Sequence, residues 1–325
     1  MTASQIISFL GGDWKRMNEI MRELLHSEVD VVEQVNSSIL DVPGKKLRPM
    51  VCLLVARMCG GDAPLPEQSC RFAAVSEIYH NASLMHDDVA DLSDERRGQP
   101  SLSARIGRVP AVLTGDFWLS RSVRELLRIG NDRVTGFFSD TICNLAEGEM
   151  LQQQKAMDGS TSHADYLKII YCKTASLFET AALAGAVSVG ASEEQIRAAG
   201  EFARALGMAF QIKDDIMDYQ GGEASGKPMG LDISECKITL PLLCAFNLCP
   251  EREAQIRESL SSQDWSDADC GSIRDFVTGS GAIAAAASEL QRYVDEAISA
   301  LERFVDSQAK EYLAHIAHYN EYRTI

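Results

Sequence analysis

Three carboxylates fall within one short stretch, Asp87-Asp88-Val89-Ala90-Asp91, and the spacing returns downstream as Asp214-Asp215-Ile216-Met217-Asp218. On a helix, at ~100° per residue, Asp87 and Asp91 share a face and Asp88 lies beside them. Like charges four apart cost a helix a few tenths of a kcal/mol per pair, and burial against a core adds a desolvation penalty. Both clusters therefore call for cations. Mg²⁺ suits such sites, because one or two carboxylates hold it while substrate phosphates complete its octahedron. Two clusters set in apolar helical sequence are expected to face each other across a cavity and to hold several divalent ions.

The basic residues supply the complement. The chain carries a formal charge of -16, which argues against nucleic acid and anionic membrane surfaces as broad partners. Against that background Lys45-Lys46-Leu47-Arg48, Arg96-Arg97, Lys173, Lys227 and Lys237 stand out. Ser76, His80 and Ser83 precede Asp87 on the same helical face. These residues allow a diphosphate bridged by Mg²⁺, with lysine and arginine taking up charge as the diphosphate leaves. A second basic set, Lys45, Arg48, His80 and Arg97, would serve a second anion, so two phosphorylated substrates are implied. Neither GxxxxGK[ST] nor a strand–GxGxxG–helix unit occurs, so no nucleotide loop is expected.

The elements that must position these groups are helices. Of 325 residues 46% are hydrophobic, ample for a sizeable core. The prolines lie at 43, 49, 64, 66, 100, 110, 228, 241 and 250, and the proline-free tracts between and after them carry a period of about 3.6. The expected fold class is all-α, a single-domain helical bundle over 1–325 with a central cavity. Helices are predicted at 47–59, at 68–92 with the first cluster, at 111–129 and 132–156, at 163–190 with Tyr171-Cys172-Lys173-Thr174 in its middle, and at 193–220 with the second cluster. An amphipathic stripe opens residues 14–37. Residues 93–100 read as a polar loop carrying Arg96 and Arg97. The glycine-rich stretch 221–237 holds Lys227, Asp232 and Lys237 and fits a lid over an anion. A short acidic helix after Pro250, an Ala-rich helix near 281–304 and a final helix of 306–320 complete the chain. Nine cysteines without a CxxC pair read as reduced thiols of a cytoplasmic protein. No signal peptide is evident, and no apolar run reaches the ~18 residues of a membrane span.

In their order, these motifs resemble those of the long-chain trans-isoprenyl diphosphate (polyprenyl) synthases, over essentially the whole chain. The matching stretches are GKKLRP at 44–49, LMHDDVADLSDERRG at 84–98, GDFWL at 115–119, EGEM at 147–150, KTASLFE at 173–179 and GMAFQIKDDIMDY at 207–219, with GKPMGLD and KITLPL from 226 on. The resemblance implies that Asp87, Asp88, Asp91, Asp214, Asp215 and Asp218 hold three Mg²⁺ on an allylic diphosphate. It implies direct contacts to that diphosphate from Arg96, Lys173 and Lys227. Lys237 would bind the same group or order the lid. Lys45, Arg48, His80 and Arg97 look like an isopentenyl diphosphate site, while Thr174 and Gln211 would face the forming carbocation. A homodimer is implied, with the helix near 111–129 available for the interface, and at most transient membrane contact by a lipidic product. Lys213 departs from the pattern, since many relatives carry an uncharged residue there.

Product length follows from the same helix. Ala82 and Ser83 lie one turn upstream of Asp87, ~5.4 Å along the axis, where short-chain relatives carry a bulky aromatic. Ala73 and Ser76, deeper still, are also small. A long-chain product is therefore expected, with Phe137 or Phe138 as the floor, and Ala82→Tyr should shorten it. The alternatives are a short-chain farnesyl or geranylgeranyl diphosphate synthase, and a subunit of a heteromeric synthase that is inactive alone. A terpene cyclase would leave the second basic set idle.

Overall fold

In a computed structural model, residues 2–41, 44–61, 63–92, 95–96, 99–220, 230–262 and 267–322 are described. Arg97 and Lys227 lie outside them, and of Arg96 only the backbone is described. The chain is all-α apart from a two-residue antiparallel ladder, Glu95–Arg96 (β1) against Gln99–Pro100 (β2), in the stretch read as a polar loop. It divides into two compact units. The first comprises 1–141, 177–203 and 300–315, the second 142–176, 204–299 and 316–325.

The first unit is built around α4 (Glu67–Ala90). From Cys70 to Tyr79 only Arg71 escapes full burial. A helix apolar on every side must be enclosed, and α1 (Ala3–Leu25), α3 (Leu47–Gly60) and α6 (Arg108–Ile129) pack on it. The stripe at 14–37 is two helices: α1 ends at Leu25 and α2 (Asp30–Leu40) begins after a break in which Glu33 Oε2 accepts the Ser27 N–H at 2.9 Å. Asn36 joins them, donating to Leu25 O at 2.6 Å and accepting Trp118 Nε1–H at 2.7 Å. A short α5 (Leu102–Ile106) precedes α6, and α7 (Asp132–Asp158) follows it. On α6, Val109, Leu113, Val123 and Leu127 form one exposed apolar stripe.

The tract predicted as one helix over 163–190 opens as α8 (His163–Ile170), widens to a π-turn over Tyr171–Ala175 and continues as α9 (Ser176–Ser188), of which all but Ser176 belongs to the first unit. The Ser176 N–H reaches back five residues to Tyr171 O. Such π-turns mark strained, often functional, positions in helices, and this one carries Lys173 and Thr174. α10 (Glu193–Gln220) ends in the second aspartate cluster. Beyond it come α11 (Leu231–Ser234), α12 (Leu240–Leu248), a 3₁₀ turn Pro250–Arg252, α13 (Glu253–Ser262), α14 (Asp267–Gly279), α15 (Ala282–Leu301) and α16 (Gln308–Tyr322). The sequence reading missed α12 and α14. The first is apolar on all sides, so periodicity could not reveal it. All nine cysteines are free thiols.

Candidate active site

Both aspartate clusters sit at helix C-termini. Asp87 and Asp88 close the last turn of α4, and Asp91 is its C-cap, its N–H donating to Asp87 O at 2.8 Å. Leu92, at φ +53, turns the chain out of the helix. Asp88 is buried, Asp87 half-buried and Asp91 exposed. On α10, Asp214, Asp215 and Asp218 occupy the last two turns. The carbonyl end of a helix already carries about half a negative charge, so carboxylates there are unfavourable by some 0.3–1 kcal/mol each. Cations reverse that sign, which gives the clusters a stronger case for metal than spacing alone. Among the described residues no group of three or more His, Cys, Asp or Glu gathers into a complete metal-holding set. The donors are hard oxygens, few per ion, which fits Mg²⁺ completed by phosphate oxygens rather than an all-protein cage.

The first cluster is braced from α6. His86, immediately before Asp87, places Nε2 3.3 Å from Val112 O and 3.2 Å from Asp116 Oδ1. A Cβ at Gly115 would stand 2.5 Å from that nitrogen. This explains the glycine of GDFWL: a larger residue displaces His86 and with it the end of α4. Gly115→Ala should cost about 1–3 kcal/mol through overpacking, read as a lower urea midpoint. An unchanged midpoint would show that His86 moves freely.

In the same unit Arg48 is almost fully buried, with its guanidinium carbon 4.6 Å from the Phe178 ring centroid. It lies in the first turn of α3, whose N-cap Lys46 is left-handed at φ +45 and whose first backbone bond is Met50 N–H to Lys46 O at 3.2 Å. The amides of Leu47 and Arg48 thus precede the helical ladder, and Pro49 brings no N–H, as an anion site at a helix start requires. Lys45 is exposed and His80 half-buried. Ser83 Oγ–H donates to His80 O at 2.9 Å, and Ala82 is buried. Of the two residues expected at the floor of this face, Phe138 is the one that meets α4, at a tyrosine not singled out from the sequence. Tyr79, one turn above Ser83, is buried and meets Phe138 edge-on at 5.0 Å between centroids. Phe137 instead lies beneath Arg133.

The second unit holds a cavity of about 130 Å³ whose lining includes Gln152, Lys173, Gln211, Asp215, Asp232 and Lys237. A chain of hydrogen bonds orders it. Thr174 Oγ1–H donates to Gln211 Oε1 at 2.6 Å, Gln211 Nε2–H donates to Asp215 Oδ1 at 2.9 Å, and Tyr166 O–H donates to Asp215 Oδ2 at 2.6 Å. The Thr174 proton is thereby committed, so its oxygen lone pairs remain the polar feature it can present. Burial pushes the Asp215 carboxyl up to about 7, and Asp214 and Asp218 push the same way against the Tyr166 and Gln211 hydrogen bonds. Lys173 Nζ is ion-paired to Glu149 Oε2 at 2.5 Å and hydrogen-bonded to Gln152. Gly148 allows that approach, since a Cβ there would lie 2.6 Å from Cys172 Cβ and 3.1 Å from Lys173 Cγ. Lys237 Nζ pairs with Glu235 Oε2 at 2.5 Å.

Tyr166, Glu149, Gln152 and Asp232 were not singled out as site residues from the sequence. Tyr166 carried one available signal, standing two turns before Lys173. Glu149 and Asp232 stood within quoted motifs, EGEM and GKPMGLD, and Gln152 had no signal.

The Polyprenyl synthetase family model matches residues 29–276. The chain is 33% identical over 319 residues to the octaprenyl diphosphate synthase of Escherichia coli (strain K12), covering 98% of each chain. It is 35% identical over 315 residues to the all-trans-nonaprenyl-diphosphate synthase (geranyl-diphosphate specific) of Rhodobacter capsulatus, covering 96% of this chain and 95% of that one. Its structure is similar to the polyprenyl synthase of Caulobacter crescentus CB15 complexed with calcium and isoprenyl diphosphate, with a TM-score of 0.91, 32% identity and coverage of 99% and 98%.

Proposed function

The chain belongs to the polyprenyl synthetase family, and from that premise we propose that it is an all-trans prenyltransferase. It condenses isopentenyl diphosphate with an allylic diphosphate, such as farnesyl diphosphate, and repeats the step to a long-chain polyprenyl diphosphate. The observation that carries the reading is Lys173 and the Thr174–Gln211–Asp215 chain around one cavity.

In this reading Asp87, Asp88 and Asp91, with Asp214, Asp215 and Asp218, would hold three Mg²⁺, and such ions would supply positive charge for an allylic diphosphate as leaving group. Arg96, Lys173, Lys227 and Lys237 bind the same diphosphate. Lys45, Arg48, His80 and Arg97 hold isopentenyl diphosphate. Thr174 presents its oxygen lone pairs to the allylic cation, and Gln211 fixes the direction of that hydroxyl. The double bond of isopentenyl diphosphate attacks the cation, and the released diphosphate takes the proton that is lost. Ala82 and Ser83 leave room for the tail, and the Tyr79–Phe138 pair ends it.

The whole chain acts as one polyprenyl synthase domain and works as a homodimer, for which the α6 stripe of Val109, Leu113, Val123 and Leu127 is available. Nine free cysteines support a cytoplasmic setting, and no helix among the described residues is long and apolar enough to cross a membrane.

Incubation of the purified chain with Mg²⁺, farnesyl diphosphate and labelled isopentenyl diphosphate should give products longer than geranylgeranyl diphosphate, and EDTA should abolish them. Products that stop at geranylgeranyl length would retain the transferase and remove the long-chain reading. A folded chain that incorporates no label alone would point to a missing partner subunit.

A further inference from the structure

We propose that Asp218 is a latch as well as a ligand: its carboxylate fastens the segment Gly230–Lys237 to the end of α10 and so sets where Asp232 and Lys237 stand at the cavity. This deepens, and rests on, the reading of that cavity as a diphosphate site.

Three successive amides close on this one residue. The Gly230 N–H donates to the Asp218 carbonyl at 3.1 Å, the Leu231 N–H to Oδ1 at 3.2 Å and the Asp232 N–H to Oδ2 at 3.2 Å. The last two amides open α11, which has four residues. A helix leaves its first four N–H groups without an internal partner, so α11 cannot satisfy its own start. Asp218 does this from outside, as an N-cap side chain would from the preceding residue. Gly230, at φ +74, makes the turn that presents the amides.

The fastening propagates. The Lys237 N–H donates to Asp232 O at 2.8 Å, and the Cys236 N–H to Ile233 O at 2.9 Å. Cys236 holds φ +58, so the turn that delivers Lys237 is a constrained one. Asp232, Lys237 and Thr239 all line the cavity that also includes Asp215 and Lys173. The two aspartates thus divide labour that their common motif does not reveal. Side-chain donors engage both oxygens of Asp215, whereas backbone amides engage both oxygens of Asp218. Each carboxylate oxygen keeps further lone-pair capacity, so a latch does not preclude a metal contact.

Hydrogen exchange of the full chain, free of metal and substrate, tests this. In Asp218→Ala, peptides spanning Gly230–Lys237 should exchange roughly tenfold faster or more, the scale of a lost cap. Asp218→Asn keeps the shape and one acceptor oxygen, so about half of the affected amides should lose protection. Peptides from 196–206 should keep theirs in both variants, which separates release of the latch from unfolding. Equal protection of Gly230–Lys237 in the unaltered chain and in Asp218→Ala would overturn the latch and leave Asp218 as a ligand alone. Because no substrate is present, the latch is read independently of turnover. Failure of the unaltered chain to incorporate isopentenyl diphosphate would sink the catalytic reading instead.

Discussion

Lys173→Met will cost on the order of a hundredfold to a thousandfold in kcat, the scale of removing one preorganised charge stabiliser, and will also destabilise the chain. The two losses have different origins. The first, in the proposed reading, is the charge offered to the departing diphosphate. The second is the Glu149 carboxylate, left without its partner at 2.5 Å. Breaking a fully buried pair costs about 3–5 kcal/mol, and this one is partly solvated, so about 2 kcal/mol is expected. Adding Glu149→Gln should return most of the stability and none of the activity.

The pH dependence carries a further signature. Burial alone would raise the Glu149 carboxyl, but Lys173, by charge and hydrogen bond, holds it below its ordinary 4.5. A depressed carboxyl contributes stability that is complete above its unfolded value and is lost as pH falls through its folded value. In Lys173→Met the opposition to burial that Lys173 supplies is gone, leaving Lys237 and the Gln153 hydrogen bond, so the carboxyl should rise and that acid-side contribution should shrink or change sign. Urea titrations from pH 3 to 7 read this directly. A kcat within tenfold of the unaltered chain would remove Lys173 from the diphosphate site.

Ser83→Tyr will shorten the product to farnesyl or geranylgeranyl length. Ser83 is half-buried and one helical turn, ~5.4 Å, before Asp87, so a ring there can stand in the path of the tail without displacing core atoms. Ala82→Tyr, the substitution suggested by spacing, should act in the same direction at greater cost. Ala82 is 1% exposed, and forcing a ring into packed core costs about 1–3 kcal/mol. Tyr79→Ala should lengthen the product distribution by removing one half of the buried Tyr79–Phe138 pair, with a stability loss of about 3–5 kcal/mol. Product length is read by reversed-phase separation of dephosphorylated products. An unchanged length in an active Ser83→Tyr chain would show that the tail does not pass this face.

Local chemistry determined much of this protein in advance. Repeated carboxylates, the basic residues of a strongly acidic chain and long proline-free periodic tracts are one-dimensional signals. They suffice for an all-α fold, two aspartate-bearing helices and a predominantly diphosphate chemistry. Contacts between elements are not one-dimensional, and there the sequence was silent. Tyr166 on Asp215, Glu149 on Lys173 and His86 against Gly115 join residues 49, 24 and 29 positions apart, and no period connects them. Gly115 and Gly148 were legible as motif letters; only packing showed that each leaves space for a neighbour. Tyr79 was passed over because the small residues around it suggested an open face, and only packing chose Phe138 over Phe137 as the ring from α7 that meets it. The roles of Asp215 and Asp218 divide for the same reason: identical side chains with identical spacing meet different donors, and which donors they meet depends on where the tertiary fold brings Tyr166 and the start of α11.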